Sequence, residues 1–302
     1  MKTAALDTTP SITSNESGRR LFSDFSELVK ARLTLLVLLT TAVGYYLGAA
    51  RPLGFAGFFH VVFGTALAAA GASALNQWWE YRFDALMLRT KMRPIPAGRM
   101  RPRVALIIGS ILAAGGLVYL RLACNGLSTF LAAATIVIYI FGYTPLKRFS
   151  TTNTLVGAIP GAIPPMIGWV AARGKLEAEA WSLFAILFVW QIPHFFAIAW
   201  MYRDDYDRAG FRMLSSGDES GARSASQSVL FCMLLLIVTG VPAYLGLTST
   251  IYLPISLALG GWFIVVAMRF HRSRTPKAAR TLFLTSIVYL ALLLLTLVLT
   301  KV

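Results

Sequence analysis

Asn76, Glu80 and Asp84 are spaced four residues apart. On an α-helix that spacing places all three on nearly one face. Two carboxylates and an amide oxygen pointing together suit a hard divalent cation such as Mg²⁺, which keeps several waters and is commonly shared with a substrate phosphate. Arg82, Arg89, Lys91, Arg93 and Arg99 surround or follow this face. Acids for a metal beside bases for phosphate oxygens point to a metal–diphosphate ligand. The plainer alternative is a solvated helix end with basic residues that only set membrane topology.

A second constellation runs Tyr202-Arg203-Asp204-Asp205-Tyr206-Asp207-Arg208-Ala209-Gly210. Three carboxylates within four positions repel one another, so a cation or arginines must compensate. The chain has 13 acidic residues. Asp7, Glu16, Asp24 and Glu27 precede the first apolar stretch, and Glu177 and Glu179 sit in a different, outer loop. The other seven are Glu80, Asp84, Asp204, Asp205, Asp207, Asp218 and Glu219, all in two long polar loops or at the ends of helices feeding them. Carboxylates close to hydrocarbon are costly and are functional candidates by default.

The elements that must position these groups are membrane helices. Of 302 residues 57% are hydrophobic and 14% charged, too apolar for a soluble domain of this size. Nine apolar stretches approach the length of about 20 residues that crosses a bilayer: 31–50, 54–79, 104–121, 127–143, 155–172, 180–201, 228–247, 251–269 and 281–300. Backbone groups in lipid must be satisfied internally, so these are helices. A β-barrel is excluded by unbroken runs such as Ile287 to Leu299. The expected fold is all-α, a polytopic helical bundle. Residues 1–20 read as a disordered cytoplasmic tail, without the apolar core of a signal peptide or the basic character of a transit peptide. Residues 21–302 form the transmembrane domain, placed in a bacterial plasma membrane. Pro160, Pro164 and Pro165 should bend or break the fifth span. Small-residue runs such as Ala66 to Ala74 should let helices approach closely.

The net charge of +15 does not imply nucleic acid, because its distribution is topological. With nine spans, 23 of the 28 lysines and arginines fall on one side. Five precede or begin the first span, seven lie in the first long loop, two are Lys147 and Arg148, four lie in the second long loop, and five lie between 269 and 280. Arg51, Arg121, Arg173, Lys175 and Lys301 remain on the other side. This asymmetry puts the N-terminus inside, the C-terminus outside and both acid/base clusters on the cytoplasmic face. The two long inner loops are four spans apart, a hint of two related halves. Cys124 and Cys232 lack partners at metal-ligand spacing and read as packing residues.

The run from Asn76 to Arg99 resembles the first aspartate-rich motif and the arginine–proline segment of the UbiA superfamily of intramembrane prenyltransferases. Trp190-Gln-Ile-Pro-His194-Phe to Leu214, Tyr143-Thr-Pro-Leu-Lys147-Arg148 and Gly157 to Pro165 are similar to its haem-farnesylating branch. The resemblance covers roughly residues 25–300. It departs from many members in having Glu80 for an aspartate and a less regular second motif, both of which fit that branch. The implied reaction moves the farnesyl group of farnesyl diphosphate to a vinyl group of haem B, with water supplying a hydroxyl, to give haem O. Mg²⁺ would be held by Asn76, Glu80, Asp84, Asp204 and Asp205, with Asp207 less favoured. Arg89, Lys91, Arg93, Lys147 and Arg203 would bind the diphosphate. Trp78, Trp79, Tyr143, Trp190, Phe195 and Trp200 would line a water-excluding pocket and favour an allylic cation.

Of the histidines, His60 and His271 read as packed and surface residues. His194 is expected in the acceptor pocket, touching a haem propionate, ligating iron or moving a proton, with a structural role as the alternative. Haem is substrate here, not retained cofactor, and a haem-A-forming enzyme or terminal oxidase is the expected protein partner. Rival readings are transfer to a quinone precursor such as 4-hydroxybenzoate or to a chlorin, a transporter of an anionic metabolite, and a non-catalytic assembly factor. No charged residues lie at mid-membrane to form a transport path.

Overall fold

The computed structural model describes residues 14–50 and 53–302, with side chains from residue 20. The expected tail over 1–20 lies outside the described residues as far as 13, as do Lys2, Asp7 and Arg51. From Ser14 the chain is helical, so α1 (Ser14–Leu28) begins inside that stretch. Its pattern is amphipathic rather than apolar: Leu21, Phe22 and Phe25 are exposed, as on a helix resting beside the bundle.

Nine helical segments among the described residues are long and apolar enough to cross a bilayer. The first three are α2 (Ala31–Gly48), α3 (Phe55–Asp84) and α4 (Pro102–Ala123). The fourth, Gly126–Leu146, joins α5 (Gly126–Val137), a π-helical turn at Ile138–Tyr143 and α6 (Thr144–Leu146). The fifth, Asn153–Arg173, joins α7 (Asn153–Ala162) and α8 (Pro164–Arg173). Next come α9 (Ala178–Met201), the short α10 (Arg203–Arg208), α11 (Ala222–Val238) with α12 (Val241–Tyr244), α13 (Tyr252–Ser273) and α14 (Pro276–Leu299). The count of nine agrees with the sequence.

Three details differ from the sequence reading, each with a physical reason. The second span continues to Asp84 as one helix of 30 residues. At 1.5 Å per residue this is about 45 Å, longer than the roughly 30 Å hydrocarbon core. Its last turns therefore carry the acidic face beyond the apolar layer. The fourth span contains a π-helical turn that leaves no mark in hydropathy. The fifth breaks only between Ala162 and Pro164, where Pro164 opens α8 as a first-turn proline. Pro160 stays within α7.

The main core lies where α8, α9 and α14 meet, around Met166, Ile186, Tyr289 and Leu293. α2 lies against α8 so closely that a Cβ on Gly44 would meet the backbone of Pro165, and one on Gly168 would meet the backbone of Thr41 and Tyr45. In lipid, where association has no hydrophobic drive between helices, such contact supplies the dispersion energy. Gly168→Ala should therefore force the two backbones apart and destabilise the bundle by about 1–3 kcal/mol. A lowered melting temperature in detergent is expected for it. Gly115→Ala, whose Cβ meets nothing within 4 Å, should melt like the parent.

Candidate active site

The last turns of α3 bury Asn76, Glu80 and Asp84 almost completely. Buried charge must be paired, and each of these groups meets a partner from a different element. Lys147, just after α6, places Nζ 2.7 Å from Glu80 Oε1. Arg93, in the loop after α3, places Nη1 2.7 Å from Asp84 Oδ2. Lys30, in the turn between α1 and α2, donates to Asn76 Oδ1 at 2.6 Å and to the Tyr139 hydroxyl at 3.2 Å. Asn76 Nδ2 donates to Thr144 Oγ1 at 3.0 Å. Asp84 Oδ1 is buried with no hydrogen-bond partner among the described residues.

Local backbone explains how the bases arrive. Lys30 has φ 48°, in the left-handed region, which reverses the chain tightly between α1 and α2. Gln77 pins that reversal to α3 by donating to the carbonyls of Glu27 and Leu28, at 2.6 and 3.0 Å. On the other side, the π-helical turn carries Tyr139 and Tyr143, whose rings stack at 5.8 Å. Lys147 Nζ lies 4.4 Å from the Tyr143 ring centroid. A π turn shifts the register of the side chains after it and occurs often at functional sites.

The electrostatics follow from burial. Burial, and then the positive charge of Arg93, push Lys30 down to about 7. Burial acts the same way on Lys147, but the charge of Glu80 and the neighbouring tyrosines outweigh it and hold Lys147 above the usual lysine range. Lys147 is thus a firmly held cation.

The second cluster is tied to the first loop through Asp205. Asp205 accepts from the backbone N–H of Leu88 at 3.2 Å and of Arg89 at 3.1 Å, and from Arg208 Nη1 at 2.8 Å. Arg89 then lies with its guanidinium 5.2 Å from the Tyr202 ring and 5.8 Å from that of Tyr206. Arg212 N–H donates to Lys147 O at 2.6 Å, and Asn153 Nδ2 donates to Arg212 O at 2.7 Å, so the second loop also holds the Lys147 backbone. Asp207 accepts from Ser216 Oγ at 2.7 Å. Asp218 accepts from the N–H groups of Arg223 and Ser224 and caps α11. Glu219 is exposed.

The site residues expected from sequence therefore divide. Asn76, Glu80, Asp84, Arg93, Lys147 and Tyr143 come together, and Asp205 and Arg89 join them through the loop. Asp204 is 84% exposed and pairs only with Arg203, at 3.5 Å. Lys91 is exposed. Arg203 lies over the Trp200 ring, whose Nε1 donates to Arg274 O. Arg99 bonds to Asp24 and Glu27 of α1. Trp78 packs around Leu28 and Ile95, and Trp79 faces outward against Phe141. Among the described residues no three His, Cys, Asp or Glu side chains lie grouped for a metal.

Trp190 and His194 belong to the seam between α9 and α14. Trp190 Nε1 donates to Ser286 O at 2.7 Å. His194 Nδ1 lies 2.7 Å from Ser286 Oγ. Ser286 gives its one hydroxyl hydrogen to Phe283 O at 2.6 Å, so it must accept from His194 Nδ1–H. That fixes the tautomer and leaves the Nε2 lone pair without a hydrogen bond. Lys30, Tyr139, Thr144, Arg212 and Ser286 were not singled out by sequence. Lys30 alone carries a signal, a cation at the very start of an apolar stretch, which in sequence is indistinguishable from a topological charge.

Burial acts to raise the Asp205 carboxyl, yet the Arg89 and Leu88 N–H groups and Arg208 hold it below the ordinary aspartate range. A lowered folded-state value means that its contribution is complete above the unfolded value and is lost as pH falls toward the folded one. Asp205→Asn should speed amide hydrogen exchange of Leu88 and Arg89 by about 10–100-fold at neutral pH. It should also remove the acid-dependent speeding of that exchange that the parent shows below the usual aspartate range.

The comparisons with known proteins agree with this geometry. The model of the UbiA prenyltransferase family matches residues 37–296. A protoheme IX farnesyltransferase of Solibacter usitatus is 44% identical over 279 residues, covering 89% of this chain and 96% of its own. One of Opitutus terrae is 43% identical, covering 90% and 92%. A mitochondrial one of Arabidopsis thaliana is 40% identical, covering 87% and 62%. Among solved structures, digeranylgeranylglyceryl phosphate synthase superposes with TM-score 0.77 at 15% identity, over 92% of this chain and 98% of its own. A UbiA homologue from Archaeoglobus fulgidus bound to GPP and Mg²⁺ gives 0.67 at 15%, over 91% and 99%. A multi-pass helical bundle with buried acids and bases at one end, matched by one family pattern over most of its length, belongs to the UbiA prenyltransferase family.

Proposed function

We propose that this membrane enzyme transfers the farnesyl group of farnesyl diphosphate to a vinyl group of protohaem IX. The C1–O bond of the diphosphate breaks and its electron pair leaves with the diphosphate. The vinyl carbon bonds to C1, and water adds as hydroxyl with loss of a proton, giving haem O. The observation that carries the donor half is the pairing of Glu80 with Lys147 and Asp84 with Arg93 in buried surroundings, with Asp84 Oδ1 unpartnered. The relatives named protoheme IX farnesyltransferase supply the acceptor, and favour it over a quinone precursor or a transported anion.

An orphaned carboxylate oxygen beside Glu80 and Asn76, all oxygen donors on one helix face, fits a hard divalent cation. Asn76, Glu80 and Asp84 would hold Mg²⁺, and exposed Asp204 is free to add to them. Bound there, the metal supplies positive charge against the departing diphosphate. Arg93, Lys147 and Lys30 offer N–H donors to the phosphate oxygens, and Arg89 stands at the loop that Asp205 fixes. Tyr139 and Tyr143 present stacked π faces that favour a developing allylic cation. Burial of the whole face keeps bulk water from that cation.

The C-terminal end of α3, the start of α2, Lys147 and the end of α9 share one side of the bundle, and that side carries most of the basic residues. We place it on the cytoplasmic face of a bacterial plasma membrane, with the N-terminus inside and the C-terminus outside. Haem O would then pass to a haem-A-forming enzyme or a terminal oxidase.

The test is a product assay on the purified protein with haem B, farnesyl diphosphate and Mg²⁺, read by chromatography and mass. The haem should gain the mass of farnesyl plus water. Asp84→Ala and EDTA should each abolish the gain, and Lys147→Met should lower kcat/KM by about 100-fold or more. Intact haem without diphosphate release sinks the reading.

A further inference from the structure

Between the last turn of α9 and the first turns of α14 lies a groove of about 590 Å³, within the range of cofactor-sized pockets. Met201, Phe283 and Leu284 give it apolar walls, Tyr202 gives it an aromatic one, and Lys277 and Arg280 stand as cations in its lining. Both cations are exposed, three residues apart on one helix, and among the described residues neither forms an ion pair. A largely apolar groove with two cations that form no ion pair among the described residues is complementary to an amphipathic anion.

The groove adjoins the donor site on one side and His194 on the other. The Tyr202 ring that lines it lies 5.2 Å from the Arg89 guanidinium. The Phe283 ring that lines it lies 4.8 Å from the His194 imidazole. A neutral imidazole whose other nitrogen is fixed by a hydrogen bond is the usual form of a metal ligand, and Ser286 fixes His194 in that form. Arg280 and Lys277 precede Ser286 by six and nine residues, about 9 and 14 Å along the helix axis. That offset is of the order of the distance from a tetrapyrrole metal to its propionates.

We propose that this groove seats the acceptor as a flat tetrapyrrole with its two carboxylates on Lys277 and Arg280, its ring against Phe283 and its metal offered to His194 Nε2. The proposal rests on the haem-transfer reading above and adds to it where the acceptor lies and which groups recognise it. An anionic phospholipid headgroup would also meet two cations at a membrane surface, but it gives the aromatic walls and the fixed imidazole no task.

The experiment uses the full-length enzyme in phosphatidylcholine nanodiscs, with and without phosphatidylglycerol, and compares haem B with its dimethyl ester as acceptors. The Lys277→Gln/Arg280→Gln variant should raise KM for haem B by about tenfold or more while leaving KM for farnesyl diphosphate unchanged. Esterification should raise the parent's KM to the same extent and the variant's no further. His194→Ala should lose the Soret shift that haem shows on binding the parent. The proposal falls if the parent farnesylates haem and the double variant keeps the parental KM for it, or if the ester still discriminates in the variant. It falls equally if the double substitution changes only the response to phosphatidylglycerol, which would make the groove a lipid site. Failure of the parent to farnesylate haem at all would instead overturn the acceptor reading itself.

Discussion

Two carboxylates buried at the end of one long helix are the constraint from which the rest of this structure follows. An unpaired ionised carboxylate in apolar surroundings costs several kcal/mol, and losing one partner of a buried pair costs about 3–5 kcal/mol. Glu80 and Asp84 therefore require cations delivered from elsewhere in the chain. Lys147 and Arg93 each come from a distinct segment, and Lys30 comes to Asn76 from a third. The left-handed turn at Lys30 and the π-helical turn before Lys147 are departures from regular helix made where these bases must be aimed. Strain of that sort persists only when surrounding contacts over-determine it, as the two hydrogen bonds from Gln77 to the carbonyls of Glu27 and Leu28 at the end of α1 do.

The second acidic loop acts on the same site at one remove. Asp205 and Arg212 hold the backbones of Arg89 and Lys147, so each long loop is completed by the other. This tie crosses the bundle between loops four spans apart and makes the two polar regions one unit. Of its three carboxylates, Asp205 is the anchor, Asp207 is bonded to Ser216, and the exposed Asp204 pairs with Arg203.

Much of this was legible in the chain. Apolar runs gave nine spans because the bilayer imposes a single length scale. The i, i+4, i+8 spacing of Asn76, Glu80 and Asp84 gave a common face, since it depends only on helix geometry. What stayed hidden depends on contact between distant segments. Asp205, a candidate ligand in sequence, also anchors the first loop in space. Asp218 looks like part of an acidic site and is a helix cap. Lys30 looks topological and reaches Asn76, 46 positions away. The indole N–H groups of Trp190 and Trp200 donate to the carbonyls of Ser286 and Arg274, links that no spacing in the sequence reveals.

The pairing in the structure also bears on how the proposed substrates would enter. Lys147 and Arg93 would share their N–H donors between carboxylate and diphosphate, and the carboxylates cannot give all their lone pairs to both bases and a metal. The two partners would therefore favour arriving together: a divalent cation held by the acids and a diphosphate held by the bases would keep every buried charge compensated. A diphosphate alone would meet the buried acids, and a metal alone would meet the buried cations, each a like-charge encounter in a low-dielectric setting. The buried Asp84 Oδ1, without a hydrogen-bond partner among the described residues, is an acceptor open to the metal. Buried ion pairs that neither solvent nor lipid can satisfy call for a ligand of matching charge pattern, and a metal–diphosphate has that pattern.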